Sequence, residues 1–159
     1  MRKRSKYRPR PVIFDTMGYV KEGMTKLTQK TGILLSLNIK NHDAMQRLVR
    51  GEATEDQITI LIDMGNVTEA LCRMGFCQES AEFVKKGEAA LKDIGDRGAK
   101  LGRYVLKAHE ITAMNDLLDV HDEQMTKVTV KNMEDAMDLV EEERRQRKMK
   151  TISRKGSER

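Results

Sequence analysis

The distribution of proline is the feature that most constrains the fold of this chain. Both prolines, Pro9 and Pro11, lie near the start, and the 148 residues that follow contain none. Proline breaks helices because its ring removes a hydrogen-bond donor and clashes with the preceding turn. A proline-free stretch of this length therefore predicts a mainly α fold, a helical bundle in one domain.

The clearest helix follows Thr54, which forms a capping box with Gln57. Apolar side chains then recur at alternating intervals of four and three residues, which is the period of one helix face. This pattern predicts a helix over about 55–75, apolar enough to lie at the centre of the bundle. The other predicted helices span residues 16–27, 42–50 (capped by Asn41) and 79–94, and a glycine-rich turn follows the last of them.

Two short segments favour β-structure. Residues 33–40 alternate between apolar and polar side chains, which is typical of a strand, although a helix that begins here is the rival interpretation. Tyr104, Val105 and Leu106 form a second candidate strand. Their pairing would place a short two-stranded β-ribbon on the helical body.

The C-terminal third predicts a long helix over about 109–148, which would measure about 60 Å if unbroken. The β-branched run Val128–Val130 is the expected place for a bend or break. The distal half is expected to pack on a second chain or to extend as a charged rod. Ion pairs four residues apart, Glu141–Arg145 and Glu143–Arg147, would support this helix.

Charge is strongly segregated along the chain. Residues 1–10 hold six cations and no acid, and residues 144–159 hold eight cations and one acid. The middle, residues 11–143, holds 16 cations and 24 acids. The predicted organisation is a basic extended arm (1–12), a helical domain (13–143) and a basic C-terminal tail (144–159).

The basic ends indicate contact with a polyanion. They have almost no apolar surface to offset the cost of ordering, so they stay mobile or order against something anionic. Nucleic acid is the commonest polyanion that arginine-rich segments meet. Self-contact with the acidic middle, a role in solubility, and an acidic protein partner are the alternatives. The candidate phosphate-binding residues are Arg2, Lys3, Arg4, Lys6, Arg8, Arg10, Arg144, Arg145, Arg147, Lys148, Lys150, Arg154 and Lys155.

Such binding is expected to be phosphate-driven and tolerant of sequence. Aromatic residues make up only 4% of the chain, and Tyr7 is the one aromatic side chain within the basic ends. The basic ends therefore offer few aromatic side chains on which bases could stack. The segment 42–74 superficially resembles a helix-turn-helix, but its second helix lacks cations near its start. DNA and RNA are equally compatible with this pattern.

Motifs of catalysis and metal binding are missing from the sequence. The segment Gly95–Gly98 lacks the Lys-Ser/Thr of a phosphate-binding loop, and no nucleophile elbow is present. Cys72 and Cys77 lack the second ligand pair that zinc needs and are interpreted as buried reduced thiols. His121 lies on an apolar stripe and is interpreted as a core or interface histidine. The sequence therefore predicts a non-enzymatic protein without a cofactor or metal.

An alternative function is the binding of a host protein through the acidic helical body. Methionine is abundant, with 11 residues, and adapts well to variable partners. The same methionines favour a homo-oligomer. Neither a membrane-spanning run nor a signal peptide is expected. The candidate partner-binding residues are Asp116, Asp119, Asp122, Glu123, Met125, Met133 and Met137.

Three segments resemble a group of small proteins carried by phages and prophages of proteobacteria. They are residues 7–24 (YRPRPVIFDTMGYVKEGM), 37–54 (LNIKNHDAMQRLVRGEAT) and 69–75 (EALCRMG). The resemblance implies a bacterial cytoplasm and an accessory phage role, including the modulation of a host factor. It implies no functional residues.

Overall fold

The protein is built from helices. The computed structural model describes residues 16–156. Within that range no strand forms, and the one β-type pairing is an isolated antiparallel bridge between Lys26 and Thr129. None of the described helices combines the length and the apolar character needed to cross a membrane. The mainly α prediction is confirmed. The helices are α1 (Thr16–Met24), α2 (Thr31–Arg50), α3 (Glu55–Arg73), α4 (Ala81–Leu101), α5 (Ala108–Lys127) and α6 (Val130–Gly156).

The predicted β-ribbon is wrong. Residues 33–40 belong to α2, because the spacing of Leu34, Leu37, Asn41 and Leu48 continues at helical intervals beyond the alternating stretch. Asn41 is therefore a buried residue inside α2 and not a helix cap. Residues 104–106 form an irregular connection between α4 and α5.

Helix α3 lies at the centre of the bundle, as its apolar sequence predicted. It packs against α2, α4, α5 and α6, and Leu61 and Leu71 are fully buried. The predicted capping box is present, since the Thr54 backbone N–H donates to Gln57 Oε1 at 2.9 Å. This cap satisfies a donor that the first helical turn leaves unpaired.

Helix α4 is longer than its glycines predicted. It continues through Gly95 and Gly98 to Leu101 and ends at Gly102, whose φ of +67° suits glycine. Two glycines inside the helix, Gly87 and Gly98, allow a neighbouring side chain to pack closely against the backbone. A Cβ on Gly98 would lie 2.2 Å from the Tyr104 ring, and one on Gly87 would lie 2.6 Å from Leu117 Cβ.

The predicted long helix breaks where the β-branched run suggested. Val128 has an extended backbone with ψ of 154°, and it separates α5 from α6. Its carbonyl accepts a hydrogen bond from Leu27 N at 3.0 Å, while Val130 N donates to the Thr25 carbonyl at 3.0 Å. The break reverses the chain, so α6 returns across α3.

The distal half of the C-terminal segment therefore packs within its own chain. Ala136 is fully buried, and Met133 and Val140 are partly buried in the same apolar cluster as Ala70 and Leu71 of α3. The sequence predicted that this segment packs on a second chain or extends as a rod. That prediction is wrong for the first four turns of α6.

Candidate nucleic-acid interface

Helix α6 carries the C-terminal cations on a continuous helix. A side-chain turn starts it, because Thr129 N donates to Asn132 Oδ1 at 3.0 Å and Asn132 N donates to Thr129 Oγ1 at 3.2 Å. The helix then runs to Gly156. The predicted boundary at residue 143 falls inside it, so residues 144–156 continue a helix whose first part is anchored on α3.

The first cations of this stretch contact carboxylates of the same chain. Arg144 pairs with Asp63 of α3. The two predicted pairs along α6 are confirmed: Arg145 Nε lies 3.6 Å from Glu141 Oε1, and Arg147 Nη2 lies 4.0 Å from Glu143 Oε2. Self-contact with the acidic body, one of the alternatives, therefore holds for Arg144, whereas the pairs Arg145–Glu141 and Arg147–Glu143 lie within α6.

The remaining predicted phosphate-binding residues fall into two groups. Lys148, Lys150, Arg154 and Lys155 belong to the last helical turns of α6. The cations of the N-terminal arm, between Arg2 and Arg10, lie outside the described residues. The structure thus brings seven of the thirteen predicted cations onto one helix, with no acid between positions 144 and 156.

A carboxylate cleft lies beside the root of the basic stretch. It has a volume of about 440 Å³ and lies between α3, α4 and Arg147 of α6. Glu69 of α3 and Glu88 of α4 both line this cleft. Burial and the charge of Glu69 raise the pKa of Glu88 to about 7, against the smaller opposing effects of Arg73 and Arg147. Sequence reasoning missed this pair because its members belong to different helices and form no motif.

Arg73, whose charge acts on Glu88, is paired with Glu143. Arg73 Nη1 donates to Glu143 Oε1 at 2.7 Å and thereby links α3 to α6. The hydrogen bond to Glu143 raises the pKa of Arg73, so this guanidinium stays charged. Two pairs, Arg144 with Asp63 and Arg73 with Glu143, therefore bind α6 to α3 at the root of the basic stretch.

The predicted acidic partner surface is largely engaged within the chain. Asp119 is exposed and Asp116 is half-buried. Asp122 Oδ2 lies 2.9 Å from His42 Nε2, and Glu123 Oε1 accepts from Lys127 Nζ at 2.6 Å. The four acids share α5 but offer fewer free carboxylates than the sequence suggested.

The three predicted partner-binding methionines occupy different environments. Met125 is 1% exposed and fills the core, so it is not available to a partner. Met133 is partly buried, whereas Met137 is 56% exposed. Met133 and Met137 line an apolar groove of about 240 Å³ between α2, α3 and α6, together with Met64.

His121 lies at the base of this groove and is buried, as its position on the apolar stripe predicted. Asn41 Nδ2 donates to its Nε2 at 3.2 Å, so Nδ1 carries the hydrogen and donates to Thr68 Oγ1 at 2.9 Å. Thr68 in turn donates to the Met64 carbonyl at 2.8 Å. Burial lowers the pKa of His121 to about 4, so the ring is neutral and both nitrogens are satisfied. This network is structural.

The two cysteines form a buried corner next to α5. Both are free and buried, and Cys72 Sγ lies 3.4 Å from the Cys77 carbonyl oxygen. Cys77, Glu79 and Glu123 bring three metal-ligand atoms within 4.8 Å of one another. The Lys127 ammonium already contacts two members of this group, at 3.4 Å from Cys77 Sγ and 2.6 Å from Glu123 Oε1. A cation of the chain itself therefore pairs with Glu123 in this cluster.

Comparison with known proteins adds no assignment to this geometry, since no family model, curated protein or solved structure matches the chain.

Proposed function

We propose that the protein is a non-enzymatic nucleic-acid-associated protein that uses the basic end of α6, with the N-terminal arm, on phosphates. The observation that carries the proposal is the continuity of α6 through Gly156, because it places seven cations and no acid on one helical stretch. Within it, Arg144, Arg147, Lys150 and Arg154 follow one another at intervals of three or four residues, the spacing of neighbours on a helix.

The dimensions of this stretch suit a duplex. Thirteen helical residues measure about 20 Å, a length over which B-DNA presents about a dozen phosphates. An α-helix fits the major groove of B-DNA. On this proposal the cations beyond Arg147 contact phosphates first. The acidic body opposes non-specific contact elsewhere, which confines binding to the basic segments.

Fluorescence anisotropy with a labelled random-sequence DNA duplex of about 20 base pairs tests the proposal at low salt. The test variant replaces Lys148, Lys150, Arg154 and Lys155 with glutamine, which preserves helix propensity. A matched control replaces Arg50, Lys85, Lys100 and Arg103, four exposed cations of the body, and loses the same charge. We expect the test variant to lose about tenfold or more in affinity and the control about twofold or less. Equal losses in the two variants would contradict the proposal.

A further inference from the structure

We propose that the carboxylate cleft of Glu69 and Glu88 is an autoinhibitory clasp that competes with nucleic acid for the root of the basic helix. This inference depends on the proposed function. It assigns to Glu88 the role of a pH-sensitive competitor for Arg147.

The geometry places acids of the body where phosphates would otherwise lie. Arg147 lines the cleft together with Glu69 and Glu88, and Arg144, one turn earlier, pairs with Asp63. A nucleic acid that follows the basic stretch toward the body must compete with Asp63 for Arg144 and with the negative charge of the cleft for Arg147. The clasp therefore lowers the affinity for polyanions at the root of the basic stretch.

The protonation state of Glu88 sets the strength of the clasp. Burial and the neighbouring charge of Glu69 favour the protonated, uncharged form of Glu88. When Glu88 loses its proton, the cleft gains one negative charge, and its attraction for Arg147 increases. The pKa of about 7 means that this change falls in the neutral range, so the clasp is stronger above pH 7 and weaker below it.

The other charged groups around Glu88 do not remove this dependence. From α3, Arg73 faces the pair, but Glu143 of α6 neutralises it at 2.7 Å. Lys92 of α4 also lines the cleft. The hydrogen bond to Glu143 keeps Arg73 charged across the neutral range, whereas the raised pKa of Glu88, about 7, falls within that range. The side chain of Arg147 is 77% exposed, so solvent screens the attraction and limits its effect to about three- to fivefold in affinity.

Binding of the same DNA duplex is measured by anisotropy at about pH 6 and about pH 8, with wild type, Glu88→Gln and the control Glu82→Gln. Glu82 is an exposed acid near the start of α4, so its replacement removes the same charge away from the cleft. We expect wild type and E82Q to bind about three- to fivefold more tightly at the lower pH than at the higher one. This factor is counted after any pH-dependent change in the affinity of E88Q has been subtracted. E88Q is expected to bind at the higher pH with the affinity that wild type has at the lower one. An E88Q variant with the full pH dependence of wild type would overturn the clasp.

A second measurement separates the clasp from the proposed function because it needs no nucleic acid. The side-chain carboxyl of Glu88 is titrated by ¹³C NMR in wild type and in Arg147→Gln. Because the charge of Arg147 opposes the raised pKa of Glu88, its removal is expected to raise that pKa further. If the pKa of Glu88 shifts in Arg147→Gln but wild type does not bind DNA, the contact between Glu88 and Arg147 is supported and the proposed function is refuted. An unchanged pKa of Glu88 would refute the clasp whatever the DNA result.

Discussion

Replacement of His121 gives the sharpest test of the structure, because the buried imidazole ties stability to pH. In an unfolded chain a histidine titrates near 6.5. In the fold His121 keeps its neutral form down to about pH 4, since burial and the hydrogen bonds with Asn41 and Thr68 favour that form. Between these values the unfolded state binds a proton that the native state does not. The free energy of unfolding therefore falls as the pH falls through this window.

The magnitude follows from the two pKa values. At pH 5 the unfolded histidine is almost fully protonated and the native one is almost fully neutral, which costs the native state about 2 kcal/mol relative to pH 8. Glu88 acts in the opposite direction, because its raised pKa makes the native state more stable as the pH falls from about 7. The effect of His121 is therefore obtained from the difference between wild type and His121→Gln.

Urea unfolding at about pH 8 and about pH 5 measures this difference. H121Q is expected to be less stable than wild type at the higher pH by roughly 1–3 kcal/mol, because the buried network is disturbed. Its disadvantage is expected to shrink by about 2 kcal/mol at the lower pH. His109→Gln is the control, since His109 is exposed at the start of α5. A constant difference between wild type and H121Q at both pH values would refute the neutral, buried assignment.

Three further substitutions test the packing and the buried charge. Gly87→Ala places a Cβ 2.6 Å from Leu117 Cβ, so α4 and α5 must separate. We expect this substitution to lower the free energy of unfolding by about 1–2 kcal/mol, measured by thermal unfolding. Gly95 has open space around it, so Gly95→Ala is expected to raise the free energy of unfolding by about 0.5–1 kcal/mol. Destabilisation by both glycine substitutions alike would contradict the close contact. Glu110→Gln leaves Arg97 without the carboxylate that accepts its two hydrogen bonds at 2.9 and 2.5 Å, and we expect a loss of about 2–3 kcal/mol in urea unfolding. A loss below about 0.5 kcal/mol would show that this pair contributes little.

The helical fold was predictable because its determinants are local. The absence of proline after Pro11, the capping box at Thr54 and the apolar period of α3 each act within a few residues. The break at Val128 was predictable for the same reason, since β-branched side chains disfavour a continuous helix there.

The errors occurred where tertiary packing overrides a local pattern. Residues 33–40 alternate as in a strand, yet α2 forms because Asn41 and Leu48 extend the helical period into the core. Gly95 and Gly98 suggested a turn, whereas α4 continues through both of them, and Gly98 makes a close contact with Tyr104 as Gly87 does with Leu117. A single sequence does not distinguish a glycine that turns the chain from one that admits a neighbour.

The candidate site was predictable only as a set of charges. Composition located the cations of residues 144–155, but the pairing of Arg144 with Asp63 depends on the return of α6 across α3. The pair of Glu69 and Glu88 likewise arises from the packing of α4 on α3. The sequence therefore identified which residues carry charge, and the fold determined which of them oppose one another.

The salt dependence of duplex binding tests the nucleic-acid proposal most directly. Each cation that neutralises a phosphate contributes about 0.9 to the slope of log affinity against log salt concentration. Replacement of Lys148, Lys150, Arg154 and Lys155 by glutamine is therefore expected to reduce the magnitude of the slope by about 2 to 4 relative to wild type. The variant of the four body cations is expected to keep the wild-type slope. A slope that the substitutions on α6 leave unchanged would show that its basic end does not contact phosphates, and the account would be wrong.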